Sequence, residues 1–105
     1  MVITFEKNYL QDMYRTGKTT DKKHRFQPSI IRKYIRIIDI MTEQPDVLAL
    51  KKYNALNYEK LKGDKTGLSS VRVNDQYRIE FEEKTINDQT IATICNITKL
   101  SNHYK

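Results

Sequence analysis

The stretch "LKGDKTGLSSVRVNDQYRIEF", Leu61–Phe81, decides the fold. From Leu68 onward the apolar period is two, the mark of a strand whose faces differ. Val71, Val73, Tyr77, Ile79 and Phe81 fall on one face; Arg72, Asn74, Gln76, Arg78, Glu80 and Glu82 fall on the other. Asn74-Asp75-Gln76 is the turn-like cluster between the halves. A two-residue turn at Asn74-Asp75 sets Val71 against Arg78 and mixes apolar with charged residues on each face. A three-residue turn, Asn74–Gln76, sets Val73 opposite Tyr77 and Val71 opposite Ile79. The hydrophobic pattern sets register, so the second arrangement is expected. It places Arg72 directly opposite Arg78, and like charges so placed repel. Two explanations stand open. Glu80 and Glu82 share the face and neutralise the arginines, or the face holds an anion such as phosphate, whose geometry guanidinium groups match. Lys62 and Lys65, in the loop before the strand, add charge to the second.

Working outward, "TIATICNITKL" (Thr90–Leu100) reads as another strand and "SNHYK" as a polar tail. Toward the N-terminus, "NALNYEKLKGDKTG" (Asn54–Gly67) reads as loop and turn. "DVLALKKY" (Asp46–Tyr53) is a short helix capped by Asp46. "PSIIRKYIRIIDIM" (Pro28–Met41) is the strongest helix, with Pro28 in its first turn and one broad apolar stripe from Ile30 to Met41. Arg32, Lys33 and Arg36 lie off the stripe's centre, as a solvated surface or a basic face for RNA or a partner. "TTDKKHRF" (Thr19–Phe26) is a basic loop, with His24 as a structural or surface residue. Tyr9, Leu10 and Met13 mark a short helix stopped by Gly17, and "VITF" (Val2–Phe5) is a short strand. Strand, two or three helices, then strands with tight turns imply an α+β fold with the helices on one face of an antiparallel sheet.

At 105 residues the chain has room for one modest core. Its 19 basic against 13 acidic residues leave +6, an excess that favours an anionic partner. The lone cysteine, Cys95, excludes an internal disulfide and reads as a small core residue. One Cys with His24 and His103 far apart fits no zinc spacing, so no metal is expected. No apolar run approaches the ~18 residues of a membrane span and the N-terminus lacks a signal-peptide core, so a cytoplasmic protein is expected.

"YEKLKGDKTG", "SSVRVNDQYRIEF" and "LSNHYK", with "HRF-P" before the long helix, resemble the HigB group of toxins within the RelE/ParE superfamily. The likeness runs from about Lys22 to Tyr104. It implies a compact, microbial ribonuclease-like fold and a single toxin domain over residues 1–105. It further implies a ribosome-dependent endoribonuclease that cleaves mRNA in the ribosomal A site without a cofactor and is neutralised by a helix-turn-helix antitoxin of the HigA type. Such cleavage uses the 2′-hydroxyl as nucleophile. It needs a proton acceptor, a proton donor for the leaving 5′-oxygen, and cations for the phosphorane. Arg72 and Arg78 suit the cationic role, with Lys62. His103 suits proton transfer, and Tyr104 suits stacking or hydrogen bonding. Lys62, Lys65, Asn74 and Gln76 are candidates to contact RNA. Glu59 stands where the group carries a His, two residues before the "LKG" leucine. It is either a general base or a surface residue paired with Lys62 or Lys65. The group's terminal "DYH" is "NHY" here. Two other functions remain on the same fold: a ParE-like inhibitor of DNA gyrase, and a degenerate module that binds RNA without cleaving it.

Overall fold

A computed structural model describes residues 1–102. Strand β1 (Val2–Phe5) is followed by helices α1 (Asn8–Thr16), α2 (Pro28–Glu43) and α3 (Val47–Lys52). Then come strands β2 (Glu59–Lys60), β3 (Leu68–Arg72), β4 (Tyr77–Lys84) and β5 (Ile94–Asn102). The sheet order is β1-β5-β4-β3-β2. Neighbours pair antiparallel except β1, which joins β5 in parallel. That pairing needs a crossover, and the chain from α1 to β4 supplies it.

The local chemistry of each boundary is visible. Gly17 ends α1 at φ 74°, a left-handed conformation that glycine adopts without penalty, and its N–H closes on the Met13 carbonyl at 3.0 Å. Pro28 opens α2, where a missing N–H costs nothing. The Asp46 carboxylate accepts the Ala49 N–H at 2.9 Å and caps α3. The segment expected as loop and turn, Asn54–Gly67, has 3-10 turns at Asn54–Leu56 and Gly63–Lys65 and also holds the short strand β2, which was not expected. Only two residues of β2 pair with β3, too few to leave a period in the sequence.

The helices lie on one face of the sheet. Leu10 and Met13 of α1, Tyr34, Ile38 and Met41 of α2 and Leu50 of α3 are fully buried against Val71, Ile79, Phe81, Cys95 and Ile97. Tyr34 lies in this core with its hydroxyl satisfied by the Leu10 carbonyl at 2.8 Å. His24, in the loop before α2, stacks on Tyr9 with ring centroids 3.8 Å apart and lies 3.2 Å from the Asp21 carboxylate, a structural position. Among the described residues no helix is long and apolar enough to cross a membrane.

Strand β5 departs from the sequence reading. It begins at Ile94 and runs through Ser101 and Asn102, which the sequence pattern places in a polar tail. A bulge at Thr98 explains why its pattern misleads. Glu80 pairs with Lys99 but Phe81 pairs with Ile97, so one residue is skipped and the alternation changes phase. Cys95 and Ile97 face the core on one side of the bulge, and Leu100 faces it on the other. Without the bulge, Lys99 and Ser101 would point into the core.

Burial also sets the chemistry of Cys95, whose thiol is pushed up to about 12 by loss of water and, less strongly, by Glu83. The thiol is therefore neutral throughout the physiological range. Thiol labelling at pH 8 should be negligible in the folded protein and stoichiometric in denaturant. Rapid labelling of the native protein would contradict this packing.

Candidate functional site

The turn between β3 and β4 spans Asn74–Gln76, the three-residue form. The Val73 N–H donates to the Tyr77 carbonyl at 2.9 Å, and the Asn74 side-chain oxygen accepts N–H groups of Gln76 (2.9 Å) and Tyr77 (2.7 Å). Val71 therefore pairs with Ile79, and Arg72 pairs directly with Arg78. Both arginines lie on the face opposite the helices, with Ser70 and Glu80 of the same hairpin and Lys99 and Ser101 of β5.

The repulsion is not relieved by Glu80 or Glu82, the first of the two explanations left open by the sequence. Glu80 pairs with Lys65 at 2.6 Å, and Glu82 accepts from Asn96 at 2.9 Å. Arg72 instead pairs with Asp75 in the turn. Arg78 is buried beneath the segment that carries β2. Its Nε donates to Ser70 Oγ at 2.8 Å, its Nη2 donates to the Asn57 carbonyl at 2.6 Å, and Glu59 lies 3.8 Å from that nitrogen. Asn57 aims its carbonyl there from a left-handed conformation, φ 48°. Burial lowers the Arg78 pKa, Glu59 raises it and Arg72 lowers it further, yet a guanidinium stays charged in a protein. Its Nη1 has no hydrogen-bond partner among the described residues.

The remaining candidates fall into three groups. Glu59, on β2 opposite Ser70, faces Arg78 rather than Lys62 or Lys65, and its side chain is about half exposed. Lys65 reaches the same face through Glu80, while Lys62 is exposed and forms no ion pair among the described residues. At the tip, Gln76 is exposed, whereas the Asn74 oxygen is committed to the turn and leaves its NH₂ for any ligand. His103 and Tyr104 lie outside the described residues. The chain enters them from Asn102, which pairs with Tyr77 one step beyond the Arg78–Ser101 pair. Sequence reasoning missed Ser70, Asn57, Lys99 and Ser101. The first two act through a hydroxyl and a main-chain oxygen of unremarkable residue types, and the last two are hidden by the bulge.

Charge pairing leaves the face able to exchange partners. Asp75 is 89% exposed and Glu59 53% exposed at the side chain. Exposed ion pairs are worth roughly 0–1 kcal/mol. Of the two, only the Arg72–Asp75 pair is exposed on both sides, so Asp75 is the weaker-held partner. No group of three or more His, Cys, Asp or Glu among the described residues is placed to hold a metal.

Comparison with known proteins gives a family from sequence and a fold from structure. A family model described as "RelE-like toxin of type II toxin-antitoxin system HigB" matches residues 3–94. Toxin HigB-1 of Vibrio cholerae serotype O1 is 33% identical over 86 residues, covering 78% of this chain and 83% of that protein. YafQ from Escherichia coli superposes with a TM-score of 0.56 at 10% identity, over 96% of this chain and 91% of that one. A chain of the Staphylococcus aureus YoeB–YefM toxin–antitoxin complex gives 0.51 at 21% identity, over 99% and 98%. At such identities the two structures speak for the fold.

The packing of Arg78 carries a stability signature. Ser70→Ala removes the Nε acceptor inside a closed site and should cost about 1.5–3 kcal/mol. Asp75→Ala breaks an exposed pair and should cost less than about 1 kcal/mol. Urea unfolding of both variants checks the contrast, since a fall in midpoint at constant slope reads stability alone. Equal effects would show that Arg78 is not held as described.

Proposed function

This chain belongs to the HigB-like family of RelE-like toxins of type II toxin–antitoxin systems, and on that premise we propose that it is a ribosome-dependent endoribonuclease acting on mRNA in the A site. The observation that carries the reading is the convergence of Arg72, Arg78 and Glu59 on one sheet face. In-line cleavage by the 2′-hydroxyl needs no metal. The attacking oxygen loses its proton to Glu59. The phosphorane's added charge falls between the guanidinium groups of Arg72 and Arg78. The 5′-oxygen leaves as a hydroxyl after taking a proton from His103, an imidazole being suited to proton transfer near neutral pH. Tyr104 stacks on or hydrogen-bonds a base, and Lys62, Lys65, Gln76 and the Asn74 NH₂ hold the flanking RNA. The products are a 2′,3′-cyclic phosphate and a free 5′-hydroxyl, with the proton count conserved between Glu59 and His103.

The roles of the two arginines differ physically. Arg78 is fixed on the Ser70 hydroxyl and the Asn57 carbonyl before substrate arrives, so it reorganises little in the transition state. Arg72 must first leave Asp75. As a type II toxin the protein is held by an antitoxin, for which the HigA-type helix-turn-helix form is our inference.

A translation extract programmed with reporter mRNA tests the reading. Purified toxin should cut the message within the open reading frame only when ribosomes are engaged. Arg78→Ala should lower the rate about 10²–10³-fold, and Glu59→Gln about 10²–10⁴-fold if it takes the proton. Intact message at excess wild-type protein would overturn the nuclease assignment. Cleavage unchanged in Glu59→Gln would remove Glu59 from the mechanism alone.

A further inference from the structure

Arg72 also lines a second feature. Between the middle of α2 and the end of β3 runs a groove of about 240 Å³. Ile37, Ile40 and Val73 line it. Its cations are Lys33 and Arg36 of α2, both exposed, together with Arg72, and no carboxylate among the described residues lines it. The acid that holds Arg72 is Asp75, which reaches it from the turn. Tyr53, 39% exposed after α3, contributes the aromatic wall. An aliphatic floor with a cationic rim is complementary to a segment that presents aliphatic anchors flanked by Asp or Glu, as an amphipathic helix does when it lies in a groove. RNA fits less well. Bases are held by stacking on flat aromatic or guanidinium faces; Tyr53 and the two arginines stand at the wall and rim, and the floor of Ile37, Ile40 and Val73 gives no flat face between them. The volume also falls below the roughly 300–1,000 Å³ of small-molecule pockets.

We propose that this groove receives an acidic, aliphatic segment of the antitoxin, which by its position also covers Arg72. Lys33 and Arg36 then steer the encounter, while Ile37, Ile40 and Val73 hold the anchor. The proposal rests on membership in a toxin–antitoxin family and not on the nuclease reading. It gives neutralisation a simple physical form: the same arginine cannot serve an antitoxin carboxylate and an RNA phosphate at once.

The test uses purified toxin and its antitoxin, with toxicity read separately as growth arrest on induction of the toxin alone. The double variant Lys33→Glu/Arg36→Glu changes exposed side chains, and circular dichroism checks its fold. Antitoxin association should slow about tenfold or more and lose most of its salt dependence. Co-expressed antitoxin should then rescue growth poorly. Unchanged association would overturn the proposal, and unchanged association combined with lost growth arrest would place RNA in the groove instead. Oxidative footprinting of Tyr53 in the wild-type complex gives a reading independent of any variant. Protection on antitoxin binding supports the docking site, and an unchanged oxidation rate contradicts it. Absence of growth arrest by wild-type toxin would count against the nuclease reading without touching the binding result.

Discussion

The register of β3 against β4 is the constraint on which the rest depends. A three-residue turn, stitched by the Asn74 side chain, sends Val71, Ile79 and Phe81 together into the core. The same register forces Arg72 and Arg78 together on the other face. A slip of one residue would set Val71 against Arg78, driving one arginine into the apolar layer under α2 and exposing the aliphatic residues of one strand. The energy of the core therefore holds in place a pair of cations that would otherwise separate. Repulsion between two charges is a small term beside the burial of several large apolar side chains.

Two like residues thereby divide the labour. Arg78 sits under the β2 segment, fixed by Ser70 and Asn57, with Glu59 at its edge. Arg72 sits near the tip on an exposed and weak partner, open both to the sheet face and to the groove under α2. One is rigid and pre-set; the other is free to change partners. The proposed mechanism uses one of each: a fixed cation for the phosphate and a second that an inhibitor can capture.

Much of this was legible in the sequence, and the reasons are specific. The core-facing alternation in Val71–Phe81 is strong enough to choose between turn lengths, and the caps at Asp46, Pro28 and Gly17 are local chemistry. The burial of Cys95 followed from its β-branched neighbours. The partners of the charges were not legible. Glu80 and Glu82 share the arginines' face, yet Lys65 and Asn96 claim them, because long side chains pair by reach across strands rather than by parity along one. The Thr98 bulge hid Lys99 and Ser101 by breaking the period on which strand reading relies. Asn57 acts through a main-chain carbonyl, which leaves no trace in residue type. Glu59 stands out in the sequence as a departure from the family's His, but its approach to Arg78 depends on the two-residue strand β2, too short for any periodic signal.

Capture of one phosphate by both Arg72 and Arg78 is the centre of the proposed mechanism. The most direct measurement is nitrogen-detected NMR of the two guanidinium groups during titration with a short RNA whose 2′-hydroxyls are replaced by hydrogen, so that it binds without being cut. Shared capture predicts that the resonances of both arginines shift along one binding isotherm, with the Nη1 protons of Arg78 becoming protected from exchange. Shifts confined to Arg72, with Arg78 unmoved at saturation, would contradict it and leave Arg78 as a structural cation only.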